Sequence, residues 1–319
     1  MLRLNNLSAQ YRTLSGTVKA VDKVYFEVKK NEIFGIAGES GCGKSTLLKV
    51  MYDLLNYPLE ITEGNVEIHT RDNDGSATIL KSGSIKKSWW KVISYIPQGA
   101  MHVLNPVDQI RRQFFDAITN HHHKASKKQL ETEIAAYLKE LELPPEVLKA
   151  YPHQLSGGMR QRVLIALATF LHPDIVLADE PTTALDVVVQ KSILTMLARV
   201  QKKHKNSIVI VSHDMGVHYQ ITHKMGIMYA GQMIEVGPTE EIFSNPQHPY
   251  TKMLINALPK VGDNSYKEGI HGTPPSLKNP PSGCRFAERC PFAKDECRAV
   301  EPKRVTVGED HFASCHLLH

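Results

Sequence analysis

The stretch GESGCGKST, residues 38–46, limits what this chain can fold into more than any other feature. It sets three glycines and a lysine between the apolar run EIFGIA and the helically spaced TLLKVMYDLL. The pattern G-x-x-x-x-G-K-S runs from Gly38 to Ser45, with a strand expected before it and a helix after it. In that context backbone N–H groups wrap phosphates and the helix N-terminus adds a favourable dipole. Gly38, Glu39, Ser40, Gly41, Cys42, Gly43, Lys44, Ser45 and Thr46 are therefore read as a nucleotide-binding loop. Lys44 is expected to reach the β- and γ-phosphates and Ser45 to hold Mg²⁺. The expected fold is α/β, with a P-loop NTPase core.

The rest of the chain fits that core. LRLNNLSAQY and VYFEV alternate as strands do, and EGNVEIHT continues the strand-rich texture. From about 100 to 168 the pattern is helical, with Ile134, Leu138 and Leu141 on one face and the breaker PPE (144–146) expected to end that helix. DIVLADE (174–180) and SIVIVSHD (207–214) are short, nearly continuous apolar runs, as in strands buried on both faces. A helical stretch, VVVQKSILTMLARVQKKH, joins them, which predicts a parallel sheet. Beyond residue 258 the texture turns rich in Pro and Gly. The expected division is thus 1–258 for the nucleotide-binding unit and 259–319 for a C-terminal extension. The run HHH at 121–123 is read as a solvated patch, since three successive residues cannot share a helix face.

The segment LSGGMRQR (155–162) precedes the apolar helix VLIALATFL. Ser156 followed by Gly157 and Gly158 at a helix start makes a second phosphate cradle. One triphosphate cannot occupy two cradles that a single fold keeps apart. The second is therefore assigned to the nucleotide of a facing subunit, in a head-to-tail dimer.

These motifs, in this order, resemble the ABC-type ATPases. GESGCGKS resembles Walker A, YIPQ ends in Gln98 like the Q-loop, and LSGGM resembles the signature sequence. IVLADE resembles Walker B with its trailing glutamate, ALD (184–186) the D-loop, and SHD supplies a switch histidine, His213. Tyr11 lies where the family places an adenine-stacking aromatic. The resemblance covers roughly residues 1–258. It implies an antiparallel β subdomain and an α-helical signature subdomain beside the parallel core. It also implies ATP hydrolysis with Mg²⁺ held by Ser45, Asp179 and Gln98. It further implies Glu180 and His213 as the catalytic residues, with Ser156, Gly157 and Gly158 serving the facing subunit's ATP.

YIPQGAMHVLNPV, EPTTALDVVVQ and NPQHPYTKMLINALP resemble the oligopeptide/dipeptide importer branch more narrowly. Some members of that branch import oligosaccharides, so the cargo stays open between the two. The branch implies a second ATP-binding subunit, with a heterodimer favoured over a homodimer. It also implies two transmembrane permease subunits and an extracytoplasmic solute-binding protein, with this chain at the cytoplasmic face of the membrane. The alternative function is a soluble ABC ATPase acting on nucleic acid or the ribosome. No long heptad insertion supports the first target and no second motif set the second.

Composition adds exclusions. No apolar run approaches the roughly 18–20 residues needed to span a bilayer, and MLRLNNLSAQYRT lacks the build of a secretory signal. The net charge of +5 is too mild and scattered to argue for nucleic acid. Four of the five cysteines fall in the last 36 residues: Cys284, Cys290, Cys297 and Cys315, spaced C-x₅-C-x₆-C-x₁₇-C. A reducing compartment favours metal over disulfides for such a cluster. The absence of a C-x₂-C pair, together with the resemblance, ranks a 4Fe–4S cluster ahead of zinc and zinc ahead of unmetallated thiols, with His311 and His316 as substitutes for Cys315. The expected extension is small and irregular, a tail in need of a staple.

Overall fold

The structure is a computed structural model that describes residues 1–14, 16–71, 77–99, 103–119, 126–259 and 269–318. The histidines at 121–123 lie outside the described residues.

Strands β1 (Leu2–Thr13), β2 (Gly16–Val28), β4 (Leu59–Arg71) and β5 (Ala77–Lys81) form an antiparallel sheet in the order β2-β1-β4-β5. In β1 the inward alternation of Leu2 and Leu4 is broken at Asn6, whose φ is 48°, and resumes out of phase at Leu7 and Ala9. The bulge keeps Leu7 rather than Asn6 facing the core.

Among the described residues the main sheet runs in the order β11 (Arg304–Gly308), β12 (His311–Ser314), β10 (Gln232–Pro238), β9 (Lys224–Tyr229), β3 (Ile33–Ala37), β8 (Ser207–Val211), β7 (Ile175–Asp179) and β6 (Ile93–Ile96). Its centre is parallel: β3 (Ile33–Ala37), β6 (Ile93–Ile96), β7 (Ile175–Asp179), β8 (Ser207–Val211) and β9 (Lys224–Tyr229). Strands β3, β7 and β8 are buried at every position, which is why their sequences read as unbroken apolar runs. One face, with Phe34, Ile36, Leu177 and Val209, packs on the antiparallel sheet and on α1 (Lys44–Met51). The other, with Val176, Ala178, Ile208 and Ile210, packs on helices that include α2 (Ile110–Thr119), α3 (Lys127–Glu140), α4 (Gly157–Thr169) and α5 (Val187–His204). The parallel order brings the carboxyl ends of β3, β6, β7 and β8 to one edge, where sites in such sheets gather.

Helix α3 stops at Glu140, before the prolines expected to end it. Its C-terminus is made by Leu141 and by Glu142 at φ 58°, and Pro145 instead opens a short 3₁₀ turn. Glu142 then accepts Arg162 at 3.1 Å and Arg199 at 2.7 Å, tying three parts of the helical layer together.

The end of the chain departs from the expected irregular tail. Strands β11 (Arg304–Gly308) and β12 (His311–Ser314) form a hairpin, and β12 pairs with β10 (Gln232–Pro238) to extend the main sheet. Across that joint the buried Glu235 carboxylate meets His311 Nε2 at 2.8 Å and accepts the N–H groups of Gln247 and His248. Burial pushes the Glu235 pKa up, but these hydrogen bonds outweigh it and hold the group below its usual value. Phe286 is 1% exposed and packs edge-on against Tyr229 and Tyr250. Burying one phenyl ring contributes about 1.5–3 kcal/mol, so the extension has apolar anchorage of its own.

Candidate nucleotide site

The phosphate loop joins β3 to α1. Gly43 caps the helix at φ 109°, and a Cβ there would lie 2.1 Å from the Ala20 carbonyl oxygen, so only glycine fits. Lys44 is buried, and its Nζ donates to the carbonyls of Gly38 and Glu39, both at 2.8 Å. The ammonium thus sits curled in its own loop, on groups it can exchange for phosphate oxygens.

Behind the loop, Ser45 Oγ donates to Asp179 Oδ1 at 2.9 Å, and the Tyr95 hydroxyl donates to Asp179 Oδ2 at 2.9 Å. Burial raises the Asp179 pKa, partly offset by these two hydrogen bonds. A hydroxyl beside a carboxylate is the oxygen pair that Mg²⁺ takes when substrate phosphates complete its shell. Asp179 ends β7, and the next residue, Glu180, turns into the left-handed region at φ 45°. A non-glycine residue held there at a strand's carboxyl end is a strained position of the kind found at functional sites.

The Glu180 carboxylate is held from three sides. Thr183 Oγ1 donates to Oε2 at 2.7 Å, Gln98 Nε2 donates to the same oxygen at 3.1 Å, and His213 Nδ1 lies 3.1 Å from Oε1. Burial pushes its pKa up, but the contacts with Thr183 and His213, together with the charge of Lys44, outweigh it and leave the group below its ordinary value. Glu180 is thereby kept ionised and able to accept a proton.

One cavity collects most of the expected residues. Ser40, Gly41, Gly43, Lys44, Ser45 and Thr46 line it from the loop; Gln98, Glu180 and His213 close it from the other strand ends. Tyr11 lines the same cavity, with its hydroxyl 3.1 Å from Thr46 Oγ1. Three of the expected residues direct their side chains to other partners. Gln98 bonds to Glu180 rather than to the Ser45–Asp179 pair. Cys42 is buried with its side chain in the core, and the Glu39 carboxylate turns away to Arg289.

Ser156, Gly157 and Gly158 are not among the residues lining this cavity. Ser156 caps α4, accepting from the Met159 N–H at 3.3 Å, and Gly158 is packed so closely on Val189 that a Cβ would come within 2.8 Å of it.

The four tail cysteines line one small cavity with His248, Phe286 and His316. Burial raises the pKa of Cys284 to about 11 and also raises Cys290 and Cys315, so as placed these are neutral thiols. Among the described residues no group of three or more His, Cys, Asp or Glu side chains is arranged to hold a metal ion, so the expected iron–sulfur or zinc site has no preformed ligand set. His311 faces Glu235, which takes it out of the expected ligand reserve.

The two residues that bond to Asp179 and Glu180 from outside the expected set escaped sequence reasoning. Tyr95 opens the motif that ends in Gln98, so its place was marked even though its bond to Asp179 was not. Thr183 follows Glu180 by three residues in a turn, a local hydroxyl–carboxylate contact that spacing alone permits.

Residues 21–183 match the family model described as ABC transporter, and residues 234–297 match that of the oligopeptide/dipeptide transporter C-terminal region. The chain is 40% identical over 321 residues to the dipeptide transport ATP-binding protein DppD of Bacillus subtilis, covering 99% of this chain and 94% of that protein. It is 35% identical to the oligopeptide transport ATP-binding protein OppD of the same organism, covering 100% and 89%. Among solved structures, a dimeric ATP-binding cassette in a post-hydrolysis state bound to ADP and Pi aligns with a TM-score of 0.64 and 28% identity, over 75% of this chain and 99% of that one. Among the described residues no helix is long and apolar enough to cross a membrane.

Proposed function

The chain belongs to the ABC transporter family, and on that premise we propose that it is the ATP-hydrolysing subunit of an importer of peptides. Its relatives are named for dipeptide and oligopeptide transport, and the match of residues 234–297 to the C-terminal region of such transporters supports the same cargo here. Separate permease subunits in the membrane and a solute-binding protein outside it complete the assembly, with a related second ATP-binding subunit favoured over a second copy. This chain then sits on the cytoplasmic face.

In the proposed reaction water attacks the γ-phosphorus in line, the bond to the β-phosphate oxygen breaks, and ADP and phosphate leave. Lys44 exchanges the Gly38 and Glu39 carbonyls for phosphate oxygens. Ser45 and Asp179 hold Mg²⁺, which when bound neutralises charge on the phosphates. Glu180, kept ionised, accepts the proton of the attacking water, and Gln98, Thr183 and His213 hold its carboxylate in place. Tyr11 stacks on the base.

The observation that carries this reading is the separation of the two cradles. The phosphate loop lines one cavity, while Ser156, Gly157 and Gly158 lie elsewhere on the same chain. Their N–H groups and the serine hydroxyl are then available to a neighbour's γ-phosphate, where they add charge stabilisation only on closure. The dimeric cassette with ADP and Pi supports such a pairing. The test is reconstitution with candidate permease subunits and binding protein: ATPase activity rises when a peptide ligand is supplied. Activity indifferent to permease and peptide refutes the importer assignment.

For the extension we propose a 4Fe–4S cluster on the thiolates of Cys284, Cys290, Cys297 and Cys315, supported by their sharing one cavity; because they form no preformed ligand set, binding has to draw them together and release their protons. No step of hydrolysis runs through it. Anaerobically purified protein is expected to contain iron and sulfide in equal amounts; colourless protein with stoichiometric zinc would reverse the assignment.

A further inference from the structure

Arg289 in the extension spends its whole donor set in one place. Its guanidinium carries five N–H donors in a rigid fork. Nη1 and Nη2 take the two oxygens of Glu39 at 2.9 and 3.0 Å; Nη1 also donates to the Tyr229 hydroxyl at 3.2 Å. Nη2 donates to the Ile270 carbonyl at 3.1 Å, and Nε to that of His271 at 2.8 Å. The side chain is only 6% exposed. Glu39 lies 250 positions away in the phosphate loop, and its other polar groups are held as well. Its N–H donates to the Tyr250 hydroxyl at 3.2 Å, and its carbonyl accepts Lys44 Nζ. Leu277 makes a second approach. Its carbonyl accepts the Lys19 N–H at 2.8 Å, and its half-buried side chain lines the nucleotide cavity near Tyr11 and Val18.

We infer that the C-terminal extension is a working wall of the nucleotide site: Arg289 is a positioning residue that fixes the phosphate loop through Glu39, and Leu277 is a specificity-determining contact on the base side. This rests on the cavity being the ATP site. An ionised carboxylate in a loop that must receive a triphosphate is repulsive unless it is drawn away and neutralised, and the bidentate pair does both. Lysine cannot replace the fork, because its three donors radiate from one atom. The wall also reaches the side of the cavity where Tyr11 stands, so ATP affinity depends on a segment outside the motifs that name the site.

The test measures ATP and tripolyphosphate affinity by calorimetry on the full chain. Arg289→Lys, and Arg289→Ala where it folds, are expected to weaken ATP by about fivefold or more, the loss of a charge-assisted pair. The rate at saturating ATP should stay within about twofold, because the chemistry is untouched and only ground-state positioning is lost. Adding Glu39→Ala to Arg289→Ala should restore affinity in part, since it removes the unneutralised carboxylate. Leu277→Ala is expected to weaken ATP about threefold, the loss of a partly buried apolar contact, and to leave tripolyphosphate unchanged. Arg289→Lys with wild-type ATP affinity overturns the positioning role, and Leu277→Ala that weakens neither ligand, or both equally, overturns the base contact. Lys44→Ala keeps the two readings distinct. If it too binds ATP normally, the nucleotide-site reading itself fails; if it loses ATP while the extension variants do not, only this inference fails.

Discussion

Gly43→Ala isolates the steric demand of the phosphate loop. The residue has φ 109°, and an added Cβ would lie 2.1 Å from the Ala20 carbonyl oxygen and 2.8 Å from Met228 Cε. Holding a side chain in that backbone region costs about 1–2 kcal/mol. Relieving the overlap with a backbone oxygen adds about 1–3 kcal/mol, since β2 rather than a flexible side chain must move. The sum, about 2–5 kcal/mol, is a large share of a typical stability of about 5–15 kcal/mol. Gly41→Ala is the internal control: φ is 78° there, but nothing lies within 4 Å of the added atom, so only the conformational cost of about 1–2 kcal/mol applies. Urea denaturation followed by tryptophan fluorescence reads both variants, because Trp89 is stacked on Tyr52 with ring centroids 4.4 Å apart, just beyond α1. Gly43→Ala should also lose ATP affinity by more than about tenfold, since displacing residue 43 displaces Lys44. Equal destabilisation by the two alanines would refute the steric argument.

Glu180→Gln keeps the volume and part of the hydrogen bonding but removes the base, so ATP binding should persist while steady-state phosphate release falls at least about a hundredfold; near wild-type turnover would remove Glu180 from that role. Tyr95→Phe deletes one of the two hydrogen bonds offsetting the burial of Asp179, and the Mg²⁺ concentration for half-maximal hydrolysis should rise about three- to tenfold; an unchanged Mg²⁺ titration contradicts it. Glu235 has a depressed pKa in the folded protein, so its contribution is complete above the ordinary carboxylate range and is lost as pH falls through the folded value. The stability gap between wild type and Glu235→Gln should therefore be wide at pH 6 and shrink towards pH 3, and a gap that does not change with pH would contradict the assignment.

Much of the site was legible because its parts are local. The phosphate loop, Asp179 with Glu180, and His213 each occupy a few consecutive residues at the end of a fully buried strand, so motif and context coincide. Contacts made by the fold rather than the chain were not legible. The Arg289–Glu39 pair bridges 250 positions, and no local pattern marks either partner for the other. The pairing of β12 with β10 sets His311 against a carboxylate 76 positions away, and without that joint the tail reads as irregular. The end of helix α3 is not marked in the sequence: the conspicuous prolines lie beyond it, whereas nothing local announces the left-handed turn at Glu142.

The most direct measurement is the structure of the assembled transporter carrying Glu180→Gln, loaded with ATP and Mg²⁺. The account predicts the Ser156 hydroxyl within about 3 Å of a γ-phosphate oxygen seated in the neighbouring subunit's phosphate loop. A closed, ATP-filled assembly in which Ser156 faces solvent or its own chain's nucleotide would contradict it.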